Sequence, residues 1–263
     1  MLCPLLLSSS SASPVYCLDF PGHGRSGHKS PDSPHLLADY VFYVLEFVRH
    51  VSALHPGAPP SLLGHSMGAG VACLFSACYP SLVSKLVLLE GTGPLARDVD
   101  PVGHVRANAD KRAESNGALF GAGVRPRLYA SLDAAVDARV QTAQRMPGEQ
   151  YISREAAAAI VGGGSREVAG GVEFTHDKRL SWPSASYFSE EEVREIAAAV
   201  EAPALVVKAR DGWPAGKDAA ERAARIGAFR NARVEEVGGS HHCHADPGTA
   251  GEVAEVVGRP VYY

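Results

Sequence analysis

This chain of 263 residues lacks any apolar run long enough to cross a bilayer, so no membrane-spanning helix is expected. It also lacks a basic stripe. The formal net charge is −4, and no stretch collects the Lys and Arg that a nucleic-acid partner demands. There are only five cysteines, at no metal-like spacing and in an odd number that does not suit a disulfide framework. Cys17, Cys73 and Cys78 read as small buried apolar residues in a reducing compartment, which points to an intracellular, cytoplasmic protein. The opening MLCPLLLSSSSASP has no basic leader and a very short apolar core, so it does not read as a secretory signal. No internal repeat is present, and the serine run near the start is the only low-complexity segment.

What is present is an ordinary globular composition, 46% hydrophobic and 21% charged, in a chain able to bury a large core. It is organised around Ser61–Ala72, SLLGHSMGAGVA. A short apolar run ends in Gly64-His65-Ser66-Met67-Gly68, and an alanine-rich segment follows at once. This is G-x-S-x-G set between a strand and a helix, the context in which the pattern makes a nucleophile elbow. A serine hydroxyl needs to be held clear of its own backbone beside a base, and a sharp strand-to-helix turn does this. The same turn aims the Met67 N–H at the place where an oxyanion would form.

Ahead of the elbow, Val15–Asp19 reads as a strand that runs into the glycine-rich loop Phe20–Gly27. Ser33-Pro34 reads as the cap and first turn of a helix whose apolar stripe is Leu37, Tyr40, Val41, Val44, Leu45 and Val48. Beyond the elbow helix, which stops near Tyr79-Pro80, Lys85–Leu89 reads as a buried parallel strand. From Thr92 to about Glu201 the pattern changes to alanine-rich helical stretches, Ser131–Arg145 and Ser153–Val161, broken by glycines at 117–123 and 162–164. This predicts a mostly helical insertion, closing with a capping box at Ser189–Glu192. The sheet then resumes at Pro203–Lys208 and Arg233–Val237, with helices carrying Ala219, Ala223 and Ile226 and then Val253, Val256 and Val257. The domain reading is therefore a core at 1–91, a helical cap at 92–201 and the rest of the core at 202–263.

Ser66, Asp211 and His241 stand in that order at carboxyl ends of predicted parallel strands, where α/β sheets place their sites. His241 would take the proton of Ser66, and a carboxylate would fix the imidazole. The acid has two candidates. Asp211 is preferred because an Asp-Gly turn follows its strand, and Glu90, ending the strand after the elbow helix, is the alternative. His242 is a second candidate base. A metal site on His241, His242, His244 and Asp246 is disfavoured, since no second ligand cluster lies elsewhere. His244 reads as packing on the final helix or orienting its loop, and His23 and His65 as bonding backbone near the site. Trp182 and Trp213 are candidates to line the cavity.

The chain resembles the α/β-hydrolase superfamily and, within it, the serine hydrolase-like proteins. The resemblance is carried by Asp19-Phe-Pro-Gly-His-Gly-Arg-Ser26, Leu63-Gly-His-Ser-Met-Gly68, Lys85–Leu89, Gly239-Ser-His241 with His244, and Thr175–Trp182. It implies an α/β-hydrolase fold, a mostly parallel sheet with helices on both faces and a helical cap. It also implies hydrolysis of a small or medium ester-like substrate, with no metal or organic cofactor. Such proteins carry strands and a His-Gly loop ahead of the position of Val15, and that loop supplies a second oxyanion donor. Here Leu2–Leu6 matches the tail of the helix after that loop, so the expectation is that the N-terminal strands are missing. The alternative function is a non-catalytic or degraded homologue. The substrate is not named by the sequence, and monomer and homodimer both stay open.

Overall fold

Runs of apolar residues without polar alternation become parallel strands buried on both faces. The computed structural model describes residues 6, 14–30, 33–97, 100–120, 127–146, 148, 150–213 and 219–259. Strands β1 (Ser61–His65), β2 (Lys85–Leu89), β6 (Ala204–Asp211) and β7 (Ala232–Ser240) form one all-parallel sheet in that spatial order. Period-2 alternation splits the apolar content of β2 and β6 between two cores. Leu86, Leu88, Ala204 and Val206 pack with helices α1 (Asp39–Leu54), α2 (Met67–Cys78) and α6 (Glu190–Ala199). Val87, Leu89, Leu205, Val207 and Ala209 face the other way, against Val253, Ala254 and Val256 of α8 (Ala250–Gly258). Helix α7 (Ala219–Ala228) joins β6 to β7 and adds Ile226 to the first core. The result is an all-parallel sheet with helices on both faces.

Three elements differ from the sequence expectation. Val15–Asp19 takes no strand conformation, and the Tyr16 hydroxyl pairs with His55 Nε2 at 2.6 Å. The predicted helix start at Ser33-Pro34 moves to Asp39, with Ala38 as N-cap. The Ser33 carbonyl accepts from Arg179 and His35 Nε2 meets Asp177 Oδ2 at 3.1 Å, which holds this stretch outside the helix. Cys17 and Cys78 are exposed, whereas Cys73 is buried as expected, together with Cys243. The expected helix tail at Leu2–Leu6 lies outside the described residues apart from Leu6, which is helical and packs on the α8 side of the sheet.

Between β2 and β6 lie helices α3 (Pro101–Phe120), α4 (Leu132–Gln144) and α5 (Arg154–Gly163), then α6. Ser131 and Ser153 cap α4 and α5 by accepting from the N–H three residues on, and Ser189 and Glu192 close a reciprocal capping box. The glycine break at 162–164 ends α5, while the one at 117–123 falls partly outside the described residues. The sequence reading did not foresee a small antiparallel sheet here. It is built from β3 (Leu128–Tyr129), β4 (Ser165–Val168) and β5 (Gly171–Phe174) in the order β3-β5-β4. Val168 pairs with Gly171 across a tight turn, and Gly170 and Gly171 take φ of 89° and 149°, conformations that favour glycine. Val136, Ala156, Val161 and Val172 form a core of their own, which reaches Ala245 beside the histidine cluster.

Candidate active site

The end of β1 is shaped by close approach. A Cβ on Gly64 would stand 2.3 Å from the Gly68 carbonyl oxygen, so only glycine lets α2 start this close to its strand. Ser66 sits at φ 53° and ψ −116°, a strained conformation for a serine, and is held there by backbone bonds. Its N–H donates to Leu89 O at 3.0 Å, and its carbonyl accepts from Ala69 and Gly70. Met67 is the first residue of α2, so its N–H is among the helix donors that have no intrahelical acceptor.

Across the sheet, His241 follows β7, and its Nε2 lies 3.0 Å from Ser66 Oγ. Its Nδ1 lies 3.3 Å from Glu90 Oε2. Glu90 directly follows β2 and, like Ser66, has positive φ, at 51°. Its side chain is 3% exposed. Oε1 accepts from Ala209 N–H at 2.7 Å, and Oε2 also accepts from Trp213 N–H at 2.8 Å. Burial pushes this carboxyl upward, but the bonds from His241, Ala209 and Trp213 outweigh it and hold Glu90 below the usual carboxylate range. Glu90 is therefore an ionised acceptor at neutral pH.

The preference for Asp211 as the partner of His241 is corrected by this geometry. The β6–β7 register shifts between Ala209 and Asp211, so alternation breaks and Arg210 and Asp211 are both exposed in succession. What Asp211 offers the site is its backbone carbonyl, which accepts from Gln150 Nε2 at 3.1 Å. Sequence reasoning missed Gln150 altogether. It is a buried amide within an irregular segment, with no periodicity to mark it.

Four imidazoles crowd the site. His65 lies 4.7 Å from His241 and 4.0 Å from His244, centroid to centroid. His65 Nε2–H donates to the His241 carbonyl at 2.7 Å, the backbone role expected of it; His23 likewise faces the Pro21 carbonyl, at 3.3 Å. His242 Nε2 accepts from Arg139 at 2.8 Å and so is committed away from Ser66. Burial, then the Arg139 charge, lowers His242 to about 3, and burial with His241 nearby lowers His244 to about 4. Burial, then His244 and His241, holds His65 well below the usual imidazole range. The His244 ring packs against that of His65 at a tilt of 41°, and its Nδ1 is buried without a partner. No cluster of metal-ligating residues is found among the described residues. The Trp213 ring lies 5.5 Å from that of His241, whereas Trp182 lines a separate hollow with Pro34, His35 and Arg179.

The fold that carries this serine and histidine has counterparts among known proteins. The profile described as alpha/beta hydrolase fold matches residues 6–247. The chain belongs to this family. This hydrolase-fold chain is 31% identical over 234 residues to a serine hydrolase-like protein of Danio rerio, covering 86% of the chain and 67% of that relative. It is 27% identical over 202 residues to a serine hydrolase-like protein of Mus musculus, covering 74% of the chain and 60% of the relative. Among solved structures it is similar to a hypothetical protein of Pseudomonas aeruginosa PAO1, with a TM-score of 0.76 and 31% identity. That match covers 91% of this chain and 79% of the other. No helix among the described residues is long and apolar enough to cross a membrane.

Proposed function

We propose that this chain is a serine-dependent hydrolase of a small or medium ester-like substrate, working through an acyl-enzyme on Ser66. The observation that carries the reading is the continuous relay Glu90–His241–Ser66, with contacts of 3.3 and 3.0 Å. Ser66 Oγ attacks the substrate carbonyl carbon as its proton passes to His241 Nε2. The imidazolium so formed is stabilised by the ionised Glu90 carboxylate at Nδ1–H. The Met67 N–H, at the positive end of α2, donates to the developing oxyanion. His241 then protonates the leaving oxygen, and water repeats the sequence to release the acid and restore Ser66.

The test is labelling of the intact chain with a fluorophosphonate, alongside hydrolysis of p-nitrophenyl acyl esters. The wild-type chain labels on Ser66 and turns over. Ser66→Ala does neither and keeps the same thermal midpoint, because the hydroxyl's partner is a catalytic imidazole and no core contact is lost. Failure of the wild type to label would favour the non-catalytic homologue.

A further inference from the structure

We infer that Gln150 is a positioning residue for the relay, an inference that rests on the hydrolase reading above. Gln150 comes from the segment between α4 and α5, far in sequence from each member of the relay, and is 6% exposed. Its amide oxygen accepts from the His241 N–H at 3.0 Å. Its amide nitrogen donates to the carbonyls of Asp211 at 3.1 Å and Gly212 at 3.0 Å. The partners fix the orientation of the amide: turned over, the NH2 would face an N–H and the oxygen two carbonyls.

Each of these contacts lies one step from a reacting group. His241 carries the base. Gly212 packs against the Glu90 carboxylate, and Trp213, the next residue, donates to it. One side chain therefore sets the distance between the backbone of the base and the turn that cradles the acid. Relay geometry is sensitive on this scale, since a displacement of about 1 Å can lower turnover about 10²-fold. The same segment is anchored twice more. The Ser240 hydroxyl donates to the Tyr151 carbonyl, and Ser153 N–H donates to Asp246 Oδ2 at 3.1 Å. Removing the Gln150 amide leaves both anchors in place, so the segment stays docked while the relay loses its spacer.

The experiment compares Gln150→Ala and Gln150→Glu in the full chain, reading kcat and KM for a p-nitrophenyl ester, fluorophosphonate labelling and thermal midpoint. Gln150→Ala lowers kcat about 10²-fold with KM within about twofold. Gln150→Glu keeps the shape but as a carboxylate cannot donate to two carbonyls. Those carbonyls and burial raise the introduced carboxyl above its ordinary range. As it protonates at lower pH it regains a donor, so the activity of Gln150→Glu relative to wild type climbs as pH falls from about 7 to about 5. The same ratio for Gln150→Ala stays flat. A structural role alone would lower the midpoint without this pH-dependent split. Wild-type kcat in Gln150→Ala, with Ser66 labelling normally, overturns the inference. If even the wild type fails to label, the hydrolase reading has failed instead. Positioning is then read from the downfield Nδ1 proton of His241, identified by its loss in His241→Asn. Its broadening or shift in Gln150→Ala supports the role, and an unchanged signal overturns it.

Discussion

The carboxylate of Glu90 occupies the space that a side chain on Gly212 would need. A Cβ built on Gly212 stands 2.4 Å from both Glu90 oxygens, well inside contact. The acid and the turn it leans on are thus matched by the absence of one methyl group.

The first prediction separates the two carboxylates. Glu90→Gln leaves the size of the side chain but removes the charge that orients and stabilises the His241 imidazolium, and kcat falls by about 10³–10⁴. Asp211→Asn stays within about twofold, because that side chain is exposed and only its backbone reaches the site. Steady-state kinetics on variants of equal thermal midpoint decides between them. A larger loss in Asp211→Asn would return the acid to β6.

Gly212→Ala is the second. The added methyl must displace either Glu90 or the 211–213 turn, and overpacking of this kind destabilises by about 1–3 kcal/mol. Because Ala209, Trp213 and His241 all bond the displaced carboxylate, turnover falls along with stability. Urea unfolding and ester kinetics on one preparation measure both. A variant as stable and active as the parent would contradict the crowding at this turn.

The third concerns acid. His65, His242 and His244 are held neutral in the fold below the ordinary imidazole value, His242 near 3 and His244 near 4. Below about pH 6.5 the unfolded chain binds protons that the folded chain refuses. Stability contributed by these groups is therefore complete above that pH and is lost as pH falls toward the folded values. His244→Phe removes one such group and also a buried nitrogen without a partner. Urea midpoints between pH 7.5 and 4.5 decline less steeply in this variant, with no loss at pH 7.5. Parallel curves for variant and parent would refute the assignment.

The elbow, the strands β2, β6 and β7 and the capping box that opens α6 were legible in the sequence, because each is a local rule: an apolar run, a glycine pair, a hydroxyl before a helix. The approach of His241 to Ser66, 3.0 Å apart, was foreshadowed by the elbow pattern and the chain order. Glu90 against Asp211 was not, since the choice turns on a register shift between β6 and β7, and an Asp-Gly turn looks equally suitable with or without it. The β4–β5 hairpin had a readable signal in Ala169-Gly170-Gly171 followed by Val-Glu-Phe, overshadowed by the alanine-rich helices on its N-terminal side. The late start of α1 depends on Arg179 and Asp177, about 140 residues away, which no local pattern reveals.

The docking of residues 150–153 on the His241 loop bears on how chains of this fold can be recombined. Exchanging the whole stretch between β2 and β6 for that of a relative looks like a modular way to change what the cleft accepts. Here the exchange would also remove an amide, a carbonyl and an N–H that hold the loop of His241. A chimera that ignores them loses rate for reasons unrelated to its new cleft. One that retains Gln150 and the two residues bonded to Ser240 and Asp246 carries over the alignment with the graft.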